Sequence, residues 1–241
     1  MGKVTDGRWT ADLWADRAAF DRNNPAPMAG NYTMKLDTGS TNATGKGCGT
    51  VKVSASGAVQ WSATLSDGTK VVQKSAVSGQ GYWPLYASLY GGRGVVLSWV
   101  HIASDGLGGQ VVWLKSPGAP LKYYPRGFTN GLEVAGSVWS KAGAGPALNW
   151  PDGKGELLLE GGGLTSSLSI PLQFNSNNRV TSSGQKLNLS INGTTGLFKG
   201  TIFDGGKPLQ FQGVVLQGEN RGYGFFLGSS QSGQVLLAPG L

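Results

Sequence analysis

The stretch VKVSASGAVQWSATLSDG at residues 51–68 alternates apolar and polar side chains on both sides of a glycine and ends in an Asp-Gly pair. Alternation with a period of two is typical of a β-strand with one buried face. Asp67-Gly68 favours a tight hairpin turn, because these residues tolerate the positive φ angles that such turns require. The stretch therefore predicts short antiparallel strands that follow one another through tight turns.

A similar pattern occurs in the other half of the chain. Leu187-Asn188-Leu189-Ser190, then Gly193, then Phe198–Gly205 repeat the order of strand, glycine, strand and Asp-Gly turn. The correspondence continues, because two further pairs of segments match: Tyr82–Tyr86 with Tyr223–Leu227, and Gly94–Leu97 with Gly233–Leu237. Self-similarity of this kind indicates an internally duplicated antiparallel meander.

Alternation continues along the whole chain and predicts an all-β fold of about 12–14 strands. The 41 glycines and the 14% of charged residues favour many tight turns and little helix. A duplicated meander can form two small barrels or sandwiches joined near residues 116–150, or one closed structure with pseudo-twofold symmetry. We favour one closed or nearly closed β-barrel or sandwich. Closure removes unpaired strand edges, and Trp83–Tyr90 and Val95–Ile102 are apolar on both faces, as expected where both faces are covered.

Four segments follow from these patterns, and we expect them to pack as one domain. They are an N-terminal strand and connector (1–29), a first meander half (30–115), a connector with one strand (116–150) and a second meander half (151–241). The polar start Met1-Gly2-Lys3-Val4 is unlike a signal peptide and fits a module cut from a longer protein. No run approaches the roughly 20 apolar residues of a membrane-spanning helix.

Composition argues against several classes of function. The net charge is +7, but the basic residues are scattered, so we expect no dedicated nucleic-acid site. The one cysteine, Cys48, excludes an internal disulfide and a multi-thiolate metal site. Acidic residues lie singly, and the glycine-rich loops lack a following helix with Lys and Ser or Thr. We therefore predict neither a metal nor a cofactor.

Several segments carry a resemblance to a known class of protein. They are Gly30-Asn31-Tyr32-Thr33, Trp83-Pro84-Leu85-Tyr86, Leu89-Tyr90-Gly91-Gly92, Tyr123–Asn130 and Gly222–Gly228. With these segments the chain, from about residue 10 to residue 239, resembles β-rich modules near the C-termini of very large bacterial secreted or surface proteins, which also carry adhesion-type repeats. The resemblance implies an extracellular setting and an all-β fold, and it transfers no catalytic residue.

Candidate catalytic residues are few. His101 is the single histidine, and by alternation it shares a strand face with Val95, Leu97 and Trp99. It could act as a general base or bind a metal. A zinc site would have no second imidazole ligand, because the chain has one histidine. For the same reason, His101 is the one histidine that could act as the base for a nucleophilic serine. Its nearest partners in sequence for a Ser-His-Asp arrangement are Ser98 and Asp105. We favour a structural histidine at a strand end.

Paired carboxylates provide the other route to catalysis, because glycoside hydrolysis requires only two. The candidates are Glu133, Asp152, Glu156 and Glu160. Glu156 and Glu160 lie four residues apart on a predicted strand, so they share a face, but the strand rise separates their backbones by roughly 13 Å. This separation disfavours a glycosidase pair.

Aromatic residues are the best indication of function. Tyr82, Tyr86 and Tyr90 are predicted on one strand face and Trp83 on the other, with Leu85 and Leu89. Exposed rings can stack on sugars or anchor a protein, and guanidinium groups add hydrogen-bond donors. We predict a ligand site that is formed by Tyr86, Tyr90, Arg93, Trp99, Tyr123, Tyr124 and Arg126.

Together these patterns predict a non-catalytic extracellular β module of a larger bacterial surface or secreted protein. Its ligand would be a glycan or a protein. Two alternatives stay open. One is a hydrolase that uses His101 or one carboxylate pair, with His101, Glu133 and Glu156 as the candidate catalytic residues, and the other is a closed barrel that carries a lipid or small ligand in an apolar cavity.

Overall fold

The computed structural model of the chain describes residues 2–13, 15–37, 39, 45–119, 122–141, 146–175, 179–183, 186–204 and 206–240. Over these residues the chain forms 18 strands and two short 3₁₀ turns, at Pro151–Gly153 and Gln217–Glu219. Every strand pairing is antiparallel, and no helix in these ranges is long and apolar enough to span a membrane. The prediction of an all-β, antiparallel, internally duplicated fold is confirmed.

The first barrel is an eight-stranded meander. Its strands are β3 (Gly30–Asp37), β4 (Gly47–Val53), β5 (Ala58–Thr64), β6 (Lys70–Ala76), β7 (Tyr82–Leu89), β8 (Gly94–Ile102), β9 (Gly106–Lys115) and β10 (Phe128–Val138). Pairing of β3 with β10 brings the ends of the meander together and leaves a seam between β6 and β7. The Gln73 side chain bridges this seam, because its amide donates to the Pro84 carbonyl at 2.9 Å and accepts from Trp83 Nε1 at 3.2 Å.

The second barrel repeats this plan. Its strands are β11 (Lys154–Gly161), β12 (Leu168–Phe174), β13 (Val180–Ser182), β14 (Leu187–Ile191), β15 (Leu197–Asp204), β16 (Lys207–Leu216), β17 (Arg221–Leu227) and β18 (Ser232–Pro239). Here β11 pairs with β18, and the seam lies between β13 and β14. Both barrels are therefore nearly closed, with the first and last strands of each meander paired.

Three details differ from the sequence-based expectations. The two halves form two barrels, the arrangement that we did not favour, and the strand expected within the 116–150 connector is β10, which completes the first barrel. The matching sequence segments are also not equivalent in position. Strands β4 and β5 are the second and third strands of their barrel, whereas β14 and β15 are the fourth and fifth of theirs. Gly205, in the second Asp-Gly turn, lies outside the described residues.

The N-terminal segment forms a separate hairpin of β1 (Gly2–Thr5) and β2 (Thr10–Leu13). The Asp6 side chain accepts the backbone N–H groups of Arg8 at 2.9 Å and Trp9 at 3.1 Å. These backbone donors lower the pKa of Asp6, because they stabilise its charged form. All residues of both strands are exposed, so local hydrogen bonds rather than a packed core hold this hairpin.

Each barrel has its own apolar core, and the two cores use different packing. In the first barrel Trp61, Trp83 and Trp113 are fully buried, and the rings of Trp61 and Trp83 meet edge to face at 5.8 Å. In the second barrel phenylalanines lie over glycines of the neighbouring strand. Phe198 is the cross-strand partner of Gly213, and a Cβ on that glycine would lie 2.2 Å from the Phe198 ring. Close approach of this kind explains part of the high glycine content.

The outer face of β7 and β8 is not covered. The sequence favours burial of both faces of these strands, because both carry apolar residues. In the structure Trp83, Leu85 and Leu89 point into the barrel, whereas Tyr86 and Trp99 are 60% and 48% exposed. The alternation is therefore confirmed, but the expectation that both faces are covered is wrong for the described part of the chain.

Candidate functional site

Exposed apolar side chains form a continuous surface on the outside of the first barrel. We call it the aromatic face, and it consists of Tyr82, Tyr86, Leu97, Trp99 and Val112. Cross-strand pairing sets their arrangement, because Tyr86 lies opposite Leu97 on β8 and Leu97 lies opposite Val112 on β9. Each of the five side chains is 40–60% exposed. Two of the predicted site residues, Tyr86 and Trp99, therefore lie on one surface.

Polar and titratable groups surround this face. His101 is the cross-strand partner of Tyr82, and their rings meet edge to face at 5.2 Å. Gln110 on β9 lies opposite Glu133 on β10, and both side chains are exposed. The face thus combines aromatic planes with an imidazole, an amide and a carboxylate. Tyr82 and Gln110 were not among the predicted ligand-binding residues, although the β7 alternation already places Tyr82 with Tyr86.

Tyr90 belongs to a buried polar cluster instead of the aromatic face. Its hydroxyl donates to Asp67 Oδ2 at 2.7 Å and accepts from Trp113 Nε1 at 3.1 Å. Lys115 Nζ lies 3.5 Å from the same carboxylate oxygen and also donates to the Tyr123 carbonyl. Burial, reinforced by the charge on Asp67, raises the pKa of Tyr90. The hydroxyl of Tyr90, one of the predicted ligand-binding residues, is therefore hydrogen-bonded inside the protein.

Tyr123 and Tyr124 join the two barrels. Tyr124 exchanges hydrogen bonds with Ser232, whose Oγ lies 2.7 Å from the tyrosine hydroxyl and whose N–H donates to it at 2.9 Å. The Tyr123 hydroxyl donates to the Gly228 carbonyl at 3.4 Å. Burial raises the pKa of Tyr124. These two side chains, which were predicted to bind a ligand, form contacts between the barrels.

The two predicted arginines lie near this contact rather than on the aromatic face. Arg93 Nη1 donates to the Gly118 carbonyl at 3.0 Å and so supports the loop that carries Tyr123 and Tyr124. Arg126 is exposed on the same loop. The predicted set of seven residues therefore divides into two groups: Tyr86 and Trp99 on the aromatic face, and the other five at or beside the inter-barrel contact.

A second inter-barrel cluster surrounds Glu219. Lys35 Nζ lies 3.0 Å from its carboxylate, and the Tyr223 hydroxyl donates to the same group. The Lys35 ammonium also lies 3.9 Å from the centre of the Tyr223 ring. Burial, together with the hydrogen bond to Glu219, raises the pKa of Tyr223 to about 12. This cluster ties β3 of the first barrel to β17 of the second.

The Tyr223 contact makes stability sensitive to alkaline pH. The pKa of Tyr223 is near the ordinary tyrosine value of 10.0 in the unfolded chain, whereas it is about 12 in the folded protein. The contribution of the protonated Tyr223 hydroxyl to the stability of the fold is therefore complete below pH 10, and it is lost as the pH rises from about 10 to 12. We expect Tyr223→Phe to be less stable than wild type at pH 8 and to lose less further stability above pH 10. Urea midpoints measured across this range test it, and parallel pH profiles for the two proteins would contradict it.

The candidate catalytic groups do not form a catalytic arrangement. The Ser98 hydroxyl donates to the Gln110 carbonyl, so it is not paired with His101. His101, Asp105 and Glu219 line one open depression, but Glu219 already binds Lys35 and Tyr223. In the described ranges no group of three or more His, Cys, Asp and Glu side chains could hold a metal ion.

The carboxylate candidates are separated among different sites. Glu133 lies on β10 of the first barrel, and Asp152 lies in the 3₁₀ turn before β11. Glu156 and Glu160 share the outer face of β11, as their spacing predicts. Glu156 accepts a hydrogen bond from Ser169, and Glu160 accepts one from Gln234. Each of these two glutamates is thus hydrogen-bonded to a side chain on a neighbouring strand.

Comparison with known proteins adds little. No protein-family model and no curated protein matches the chain. Among solved structures, the chain is similar to a protein of unknown function from the DUF3598 family of Nostoc punctiforme, with 9% sequence identity and a TM-score of 0.25. The match covers 88% of this chain and 95% of that one. A likeness this weak assigns neither fold nor function.

Proposed function

We propose that the chain is a non-catalytic module that binds carbohydrate through the aromatic face of the first barrel. The observation that carries the proposal is the exposure of Tyr82, Tyr86 and Trp99 on two adjacent strands. These rings are not needed to fill the core, because Trp61 and Trp83 already occupy the interior beneath them. Exposing large apolar groups side by side is a feature of binding surfaces.

Carbohydrate fits this surface better than other ligands. Aromatic planes give large contact area at low entropic cost and suit the apolar faces of sugar rings. His101, Gln110 and Glu133 at the rim supply the donors and acceptors that sugar hydroxyls require. Their side chains are exposed, so a ligand reaches them without rearrangement of the barrel. A protein partner is the other occupant to be tested.

The cellular setting is part of the same proposal. We place the module outside the cell, as a piece of a larger bacterial secreted or surface protein, on the basis of the resemblance described above. Neither alternative function gains support from the structure. The hydrolase candidates lie apart or are bonded elsewhere, and Trp61, Trp83 and Trp113 occupy interior positions of the first barrel where a lipid would have to lie.

Loss of the two most exposed rings tests the proposal. We expect the wild-type protein to be retained by at least one polysaccharide in a screen of cellulose, chitin, peptidoglycan and a glycan array. The double change Tyr86→Ala and Trp99→Ala should weaken that binding by about tenfold or more, because each ring supplies stacking contact. Isothermal titration with a soluble oligosaccharide of the retained polymer measures the change.

A matched control distinguishes binding at the aromatic face from nonspecific binding through exposed rings. Trp9→Ala removes a ring that is 53% exposed on the N-terminal hairpin, far along the chain from β7 and β8, and should leave binding unchanged. Binding that survives the double change would overturn the proposal. So would the absence of glycan binding together with a protein partner whose binding depends on Tyr86 and Trp99.

A further inference from the structure

A cleft between the two barrels contains lysines and neutral hydrogen-bonding groups. It consists of two adjoining depressions of about 310 and 340 Å³, which share Ser62 and Thr195 as lining residues. We call it the inter-barrel cleft. One wall belongs to β3, β4 and β5, and the other belongs to the β14–β15 hairpin and β16. Its size suits a small ligand.

The wall on the first barrel presents a row of three cross-strand partners. Asn31 on β3 lies opposite Lys52 on β4, which lies opposite Gln60 on β5. All three line the cleft. Direct cross-strand partners point to the same side of a sheet with Cβ atoms about 4.5–5.5 Å apart. One ammonium group is therefore flanked by two amides.

The wall on the second barrel repeats this arrangement. Ser190 on β14 lies opposite Lys199 on β15, which lies opposite Gln212 on β16. These three side chains also line the cleft. A lysine between two neutral hydrogen-bonding groups thus faces the cleft from each barrel.

The charge of the cleft has one sign. Lys52, Lys199 and Lys141 line it, and its described lining residues include no aspartate or glutamate. Other lysines near the barrel contact have carboxylate partners: Lys35 with Glu219, Lys46 with Asp37 and Lys115 with Asp67. Positive charges gathered in a concave site raise the local concentration of anions.

A buried tryptophan forms part of the wall of the same cleft. Trp139 lines it and is 4% exposed, and its indole N–H has no acceptor within the described residues. The floor also includes the buried side chains of Cys48 and Phe198. Hydrogen bonds to charged groups are strongest where the surroundings exclude water, so this floor strengthens any contact with an anion.

We propose that the inter-barrel cleft binds a small anionic ligand that carries sulfate, phosphate or carboxylate groups. The ammonium groups of Lys52 and Lys199 bind the anionic oxygens from opposite walls, and the flanking amide and hydroxyl groups donate to the remaining oxygens. This site lies on strands other than β7 and β8, so it stands independently of the aromatic face.

Titration with simple anions tests the site. Sodium sulfate, sodium phosphate and sodium citrate are added separately to ¹⁵N-labelled protein at constant ionic strength. We expect saturable amide shifts at Ser62, Thr195 and Lys199 with at least one of them, and the anion that saturates at the lowest concentration identifies the oxyanion class. The double change Lys52→Gln and Lys199→Gln should weaken binding by about tenfold or more.

A charge-matched variant distinguishes anion binding in the inter-barrel cleft from nonspecific electrostatic attraction to the positively charged protein. The double change Lys3→Gln and Lys154→Gln removes the same charge from exposed positions outside the cleft and should leave the affinity unchanged. Equal weakening in both double variants, shifts scattered over all surface lysines, or no saturation with any of the three anions would overturn the proposal. Thermal midpoints confirm that the variants are folded, and glycan binding at the aromatic face serves as a separate readout.

Discussion

Lys115→Met is expected to lower the free energy of unfolding by about 3–5 kcal/mol, because it leaves the Asp67 carboxylate buried without its cation. Both side chains are fully inaccessible to solvent, and Lys115 Nζ lies 3.5 Å from Asp67 Oδ2. Methionine replaces the stem of the lysine at similar volume, so the loss reports the charge and its hydrogen bonds. Urea denaturation measures it.

Two variants serve as controls for this change. Lys70→Met removes an exposed lysine from β6 and should alter stability by less than about 0.5 kcal/mol. Adding Asp67→Asn to Lys115→Met should recover part of the loss, because an asparagine carries no charge and its single carbonyl oxygen can still accept one of the two hydrogen bonds that Tyr90 and the Thr69 N–H donate to Asp67. A loss below about 1 kcal/mol in Lys115→Met would refute this account of the buried pair.

The second large effect is expected at Gly155, where a Cβ would lie 1.8 Å from Trp150 Cζ3. Gly155→Ala should cost about 1–3 kcal/mol, because the indole cannot move aside without loss. The Trp150 Nε1 donates to the Asn220 carbonyl at 3.0 Å, and its ring meets the Phe174 ring edge to face at 4.9 Å. Calorimetric or urea unfolding gives the value.

A double-mutant cycle attributes this cost to one contact. In a Trp150→Leu background the alanine at 155 should cost far less, because the three atoms nearest to the added Cβ all belong to the Trp150 ring. Gly131→Ala is the matched control, because a Cβ there meets nothing within 4 Å, and it should change stability by less than about 0.5 kcal/mol. Equal costs in the wild-type and Trp150→Leu backgrounds would show that the strain arises elsewhere.

Strand identity could be predicted from alternation, but closure of the sheets could not. Predicted strands Val95–Ile102 and Trp83–Tyr90 agree with β8 and β7 to within one residue at each end. Alternation is a local property and marks such strands well. The pairing of β3 with β10 joins segments about a hundred residues apart, and nothing in the local pattern distinguishes two barrels from one.

The positions of the candidate site residues could be predicted within a strand, where alternation continues, but not beyond the end of the strand. Tyr86 lies on the outer face as its strand pattern requires. Tyr90 lies beyond the end of β7 with a positive φ of 53°, so it turns away from the face that alternation assigns to it. The partner of Tyr124 is Ser232, and such a distant contact has no counterpart in local sequence. Lys115 lies at an inward-facing position of β9, and a lysine at such a position is the sequence signal that could have predicted the buried polar cluster.

The seam between β6 and β7 determines how the first barrel can deform. Among the described strands, these two are neighbours that share no backbone ladder, and the Gln73 amide spans the gap between them. Separating β6 from β7 along this line breaks no backbone ladder, but it breaks the two Gln73 hydrogen bonds and exposes the buried Trp83 ring beside them. The strand that carries Tyr82 and Tyr86 is therefore held by side chains at one edge and by the β8 ladder at the other.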